Sequence, residues 1–290
     1  MTRIITSLSE ISESYDALFC DLWGCVHDGL APFAEAMAAL QAFRARGGTV
    51  MLVTNAPRPH APVRRQLDRL GVPSDAYDGI ATSGDSARAA MLRGAVGEKV
   101  YFIGQPHDQD FFAPLELIEN PVKISQVPLE QAEGMVCCGP FDPLADPEEM
   151  RAQFLQAKTR GLKLLCANPD IVVDRGETRE WCAGALAKLY TEMGGESLYF
   201  GKPHPPIYDL ARRRLQALGK DIPDSRILCV GDGILTDIDG AMGEDLDSLF
   251  ITGGLAARET QTADQPDPKA LMAYLTREMR QPTYSIGKLR

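Results

Sequence analysis

Four apolar runs in this chain each end on a side chain able to do chemistry. Ala-Leu-Phe-Cys (17–20) leads into Asp21, Met-Leu-Val (51–53) into Thr54 and Asn55, and Leu-Tyr-Phe (198–200) into Gly201 and Lys202. Ile-Leu-Cys-Val (227–230) leads into Gly231 and Asp232, with Asp237 five residues further on. In open parallel sheets ligands bind beyond the carboxyl ends of the strands, so four neighbouring strands would bring these groups to one spot. The set holds two carboxylates fit for a hard cation, a hydroxyl and an amide, a lysine and a further acid. Oxygen-rich sites of this kind suit Mg²⁺, which takes one or two protein carboxylates together with a substrate phosphate. Once the phosphate charge is neutralised, a carboxylate such as Asp21 can attack phosphorus and form an aspartyl phosphate. Lys202 and the Thr54 hydroxyl then suit the non-bridging oxygens. Taken singly, each signal has a plainer meaning: Gly231-Asp232-Gly233 is a turn, Thr54-Asn55 a helix cap, and Asp21 the start of a loop. Order and strand-end placement give the set its weight.

The elements that must position these residues are legible as short apolar runs at 17–20, 49–53, 79–82, 100–103, 135–138, 162–167, 197–200, 226–230 and 248–251. Uninterrupted runs suit strands buried on both faces, hence a parallel sheet with helices on each side. Between them lie helical stripes: Phe33, Met37, Leu40 and Phe43; Val63, Leu67 and Leu70; Ile207, Leu210, Ala211, Leu215 and Leu218. The pattern predicts an α/β, doubly wound, Rossmann-like core. About 148 positions separate Thr54 from Lys202, where a βαβ crossover needs a dozen or more. A second, smaller α/β domain is therefore expected as an insertion, with the core at 1–85 and 195–290 and the insert at 86–194. Met150, Phe154 and Ala157 mark one of its helices, and Ala185, Leu186, Leu189 and Met193 another. The tail beyond about residue 275 has few apolar residues and is expected to be loosely ordered.

Bulk properties narrow the function classes. With 30 basic and 40 acidic residues the net charge is −10, which opposes a nucleic-acid surface, and Arg212, Arg213 and Arg214 read as the wet side of a helix. No apolar run approaches the roughly 20 residues of a membrane span, and the first residues lack the apolar core of a signal peptide. Seven cysteines, an odd number without any Cys-x-x-Cys pair, sit mostly in apolar runs. They read as small buried hydrophobes of a cytoplasmic protein, Cys25 included. His60, His107 and His204 read as solvated loop residues. No heptad marks an oligomer, although exposed surface on the insert leaves room for a homodimer.

Asp-Leu-Trp-Gly-Cys-Val-His-Asp-Gly (21–29), Thr-Asn-Ala (54–56), Gly-Lys-Pro-His-Pro-Pro (201–206) and Gly-Asp-Gly-Ile-Leu-Thr-Asp (231–237) resemble, in order and placement, the four motifs of the haloacid-dehalogenase (HAD) superfamily. The long insertion, with Cys-Ala-Asn-Pro-Asp (166–170) and Gly-Ala-Leu-Ala (184–187), resembles the NagD-like branch of subfamily IIA with its large α/β cap. The resemblance implies an Mg²⁺-dependent phosphatase acting on a small phosphate ester, such as a sugar phosphate, an aryl phosphate or pyridoxal phosphate. It implies Asp21 as nucleophile, metal ligation by Asp21, Asp232 and the main-chain carbonyl of Trp23, and a metal-bound water oriented by Asp237. Thr54 and Lys202 would bind phosphate, Asn55 would border the site, and Asn168 and Asp170 of the cap would face the substrate.

One departure stands out. Phosphatases of the superfamily carry a second Asp two residues after the nucleophile as general acid and base, and here that position is Trp23. General acid–base assistance contributes roughly 10²–10⁴ in rate. Either His27 or Asp28 reaches the leaving oxygen instead, or the natural substrate has a good leaving group. A rival reading follows from the same residue: a phosphate-ligand binding or regulatory protein that turns over weakly.

Overall fold

The computed structural model of the chain describes residues 2–113, 120–175 and 178–290. In chain order its strands are β1 (Arg3–Ile4), β2 (Ala17–Cys20), β3 (Thr49–Thr54), β4 (Gly79–Thr82), β5 (Lys99–Ile103), β6 (Ser125–Gln126), β7 (Gly134–Cys137), β8 (Lys163–Cys166), β9 (Val172–Arg175), β10 (Thr178–Trp181), β11 (Glu196–Tyr199), β12 (Ile227–Gly231), β13 (Asp247–Ile251) and β14 (Tyr284–Ile286). The chain forms two compact units, one of residues 1–54, 64–81 and 202–290, the other of residues 55–63 and 82–201.

The first unit is built on a seven-stranded sheet in the order β1-β14-β13-β12-β2-β3-β4. The pairings from β1 through β3 are all parallel. Every residue of Ala17–Cys20 is buried, as expected of a strand covered on both faces. Helix Pro205–Ala217 lays Ile207, Tyr208, Ala211 and Leu215 against Phe19, Met51, Val53 and Cys229. A second cluster joins Ile234, Ile238, Phe250 and Ala256 to Leu271 and Leu275 of helix Pro268–Glu278. Because β2 has β12 on one side and β3 on the other, the carboxyl end of β2 lies where the strand order reverses, the place such sheets use for ligands.

The second unit carries its own five-stranded parallel sheet, β11-β8-β7-β5-β6, and the antiparallel pair β9–β10. Alternation along its strands serves two covering layers. Met135, Cys137, Leu164 and Cys166 pack with Phe154, Leu186 and Tyr190 of helices Arg151–Thr159 and Ala183–Glu192. Val136, Cys138 and Leu165 pack with Ala87 and Met91 of helix Ser83–Leu92. Among the described residues no helix is long and apolar enough to cross a membrane.

Three expectations are corrected. The tail is ordered: helix Pro268–Glu278 is followed by β14, which pairs with both β1 and β13, and Leu289 beyond it is buried. Backbone pairing in register supplies what its sparse apolar residues do not. Arg212 is half-buried and bonds Asp224 (3.0 Å) and Glu244 (2.6 Å), so this side of its helix is not simply wet. His60 opens helix His60–Leu70 with its Nδ1 2.8 Å from an Asp85 carboxylate, and is no loop residue.

Candidate active site

Asp21 leaves β2 with its backbone N–H bonded to the Val230 carbonyl of β12 (2.8 Å), which ties the two strand ends together. Lys202 reaches both Asp21 Oδ1 (2.6 Å) and Asp237 Oδ1 (2.7 Å), and all three residues are buried. Burial disfavours the charged ammonium, but the two carboxylates outweigh it and hold the Lys202 pKa above the usual lysine range. Burial also pushes the Asp237 carboxyl up to about 6, against Lys202, which favours its ionised form. Its Oδ2 accepts a hydrogen bond from the Gly233 N–H (3.0 Å). Asp232 is pushed well above the carboxylate range, by burial first and then by the charges of Asp21 and Asp237, although Leu255 N–H donates to its Oδ2 (3.0 Å).

Ligand-type atoms of Asp21, Cys25 and Asp232 lie within 4.8 Å of one another. Two carboxylates buried side by side, one of them raised by the other's charge, are short of positive charge at the point between them, and a divalent cation would supply it. The donor set therefore fits a metal. Gly24 allows the close approach: it sits at φ +76°, and a Cβ there would run into the Asp232 carboxylate. Asp237 is not part of that donor group, since its oxygens face Lys202 and Gly233. Burial first, and then the charges of Asp232 and Asp21, push the Cys25 thiol well up.

The loop after Asp21 is tightly bonded to itself. Val26 and His27 donate to the Leu22 carbonyl, Gly24 donates to that of His27, and Phe33 to that of Val26. The Trp23 indole meets the His27 ring edge-on at 5.2 Å and covers Gly29, where φ is +88° and a Cβ would lie 2.5 Å from the indole. His27 Nδ1 accepts from the Gly29 N–H (3.0 Å), and burial lowers its pKa to about 4. The ring is therefore neutral near pH 7. Asp28 accepts from the N–H groups of Leu30 and Ala31 (2.8 Å each), which hold its carboxyl below the usual range and keep it ionised. Neither residue offers a readily lost proton to replace an acid at position 23.

Thr54 ends β3 beside β2 and is buried. Asn55 belongs to the second unit, where its Nδ2 donates to Asp170 Oδ1 (2.8 Å). Asn168 Oδ1 accepts from Asp170 N–H (3.0 Å), the side-chain turn expected of Asn-Pro-Asp. The structure thus gathers Asp21, Lys202, Asp232 and Asp237 around one point, and Asn55, Asn168 and Asp170 in a separate bonded group. Two contributors escape sequence reasoning. Cys25 carries only the signal of lying four residues after Asp21, and the Leu255 amide, a backbone group, carries none beyond the glycines before it.

Comparison with known proteins bears on this geometry. A family model described as haloacid dehalogenase-like hydrolase matches residues 18–117, and one described as HAD-hydrolase-like matches residues 199–277. A solved hydrolase of the haloacid dehalogenase-like family from Brucella suis 1330 is 39% identical, covering 99% of this chain and 100% of that one, with a TM-score of 0.86. The chain belongs to the haloacid dehalogenase-like hydrolases. Among other relatives, a 5'-nucleotidase of Bacillus subtilis is 25% identical, over 91% of this chain and 97% of its own. The glycerol phosphate phosphatase of Mycobacterium tuberculosis, solved in complex with magnesium, is 26% identical, covering 99% of this chain and 78% of that one, with a TM-score of 0.67. The HAD-like models match the segments that carry Asp21 and Lys202, and the second also spans Asp232 and Asp237.

Proposed function

We propose that this hydrolase is an Mg²⁺-dependent phosphatase that cleaves small phosphate monoesters through an aspartyl phosphate on Asp21. The observation that carries the proposal is the buried Asp21–Lys202–Asp237 bridge with Asp232 alongside. Lys202 keeps Asp21 ionised and hence nucleophilic. As the Asp21 carboxylate forms its bond to phosphorus, the ester P–O bond breaks and the leaving group departs as an alkoxide or phenolate, which takes its proton from solvent. Lys202 and the Thr54 hydroxyl hold the non-bridging oxygens, whose charge persists through the transition state. Water then attacks phosphorus, releasing phosphate and restoring the carboxylate. Bound to Asp21, Asp232 and the main-chain carbonyl of Trp23, Mg²⁺ would offset the charge of the phosphate as the nucleophile approaches. Asn55, Asn168 and Asp170 of the second unit select the ester. Purified protein with Mg²⁺ and an aryl phosphate is expected to release phosphate, and Asp21→Asn to abolish release. An Asp21→Asn enzyme of full activity rules out the nucleophile.

Trp23 favours a second reading, a phosphate-ligand binding protein that turns over slowly. The indole packs on His27 and Gly29, and neither His27 nor Asp28 supplies the missing acid. On this reading Trp23→Asp raises turnover of alkyl phosphates, by up to about 10²–10⁴ if proton donation alone is limiting. Rapid wild-type hydrolysis of unactivated sugar phosphates contradicts it.

A further inference from the structure

Cys25 is the member of the buried donor group that phosphate chemistry leaves unused. Its sulfur lies within 4.8 Å of a carboxylate oxygen of Asp21 and of Asp232. It is 1% exposed and makes no hydrogen bond among the described residues. Asp232 is 6% exposed, and while Leu255 N–H occupies its Oδ2, its Oδ1 has no hydrogen-bond partner among them. A buried thiol and a buried carboxylate that is bonded through one oxygen thus share one spot with Asp21. Among the described residues no other trio of His, Cys, Asp or Glu comes together in this way. Mg²⁺ is hard and takes oxygen ligands, so it gains nothing from the sulfur, whereas zinc-class cations prefer thiolate.

We propose that Asp21, Cys25 and Asp232 form a mixed sulfur–oxygen site for a thiophilic divalent cation, which competes with Mg²⁺ and withdraws Asp21 from reaction. The competition with Mg²⁺ rests on the phosphatase reading, whereas the sulfur site itself rests on the placement of the three side chains. On ligation the sulfur–metal bond forms as the thiol proton leaves to solvent, with no change of oxidation state. Zinc holds sulfur at about 2.3 Å and oxygen at about 2.0–2.2 Å, so tetrahedral ligand atoms stand roughly 3.5 Å apart. The three ligand atoms lie within 4.8 Å of one another, and binding would draw them to this spacing. Three protein ligands leave a fourth position for water.

The test is titration of the full chain with Cd²⁺ in the absence of Mg²⁺, followed by ultraviolet absorbance. A sulfur-to-metal charge-transfer band is expected to saturate at one metal per chain, to fade as excess Mg²⁺ is added, and to be missing in Cys25→Ser. Absence of the band in the wild type, its survival in Cys25→Ser, or its persistence at saturating Mg²⁺ overturns the proposal. If Cys25→Ser does not fold, Mg²⁺ competition on the wild type decides alone. A band without Mg²⁺-dependent phosphate release upholds the sulfur site and sinks the phosphatase reading, and release without a band does the reverse.

Discussion

At the scale of single residues, the charge on Lys202 serves several carboxylates at once. The ammonium is buried against two carboxylates, Asp21 and Asp237, with a third, Asp232, adding its field nearby. Removing one partner of a buried ion pair leaves the other charge desolvated and uncompensated, a loss of about 3–5 kcal/mol. Lys202→Met is therefore expected to lower the urea-unfolding free energy by about that much without Mg²⁺ and to abolish phosphate release. A variant as stable as the wild type would show that Asp21 and Asp237 do not need the lysine. Of this arrangement, residue type and order were legible in the sequence, because Asp21 directly follows an apolar run and Lys202 and Asp232 each follow one after a single glycine. What was not legible is who bonds whom. Asp237 bonds Lys202 and the Gly233 amide, and His27 accepts from the Gly29 amide. Such choices are settled by burial and loop geometry, which residue spacing does not encode.

At the scale of elements, the nine strands that sequence periodicity marks are those made of apolar runs. β1, β6, β9, β10 and β14 escape it for a shared reason: they are two to four residues long and hold mixed or polar side chains. β1, β6 and β14 depend on partners distant in the chain, whereas β9 and β10 pair with each other. β14 is the informative case, since Tyr284-Ser285-Ile286 looks like a polar tail yet lies between β1 and β13, with Ser285 and Ile286 fully buried. If the element is held by that pairing and by the burial of Ile286, then Ile286→Ala should cost about 2–5 kcal/mol, as for other core truncations. Met279, 79% exposed at the end of the preceding helix, supplies the contrast. Met279→Ala should change stability by no more than about 0.5 kcal/mol. Chemical denaturation of both variants checks the pair, and equal small effects would return the tail to the loosely ordered state that its composition suggests.

At the scale of the whole molecule, the interval between Thr54 and Lys202 signals an insertion because it far exceeds what a crossover needs. Each unit buries its own apolar clusters: Phe19, Met51 and Leu215 belong to one, Phe154, Leu164 and Tyr190 to the other. Chains with more than one core commonly depart from all-or-none unfolding. Asp21, Cys25 and Asp232 all lie in the first unit, so a metal held there stabilises that unit directly, by about 2.7 kcal/mol at one hundred times its dissociation constant. Calorimetry should therefore resolve two transitions, of which Mg²⁺ raises one. Phe154→Ala, which removes a fully buried ring from the second unit's core, should lower the other by about 3–5 kcal/mol and leave the Mg²⁺-sensitive one in place. A single transition that both Mg²⁺ and Phe154→Ala move as a whole would mean that the two cores fold as one. Metal binding would then be felt as strongly by the inserted unit as by the unit that binds it.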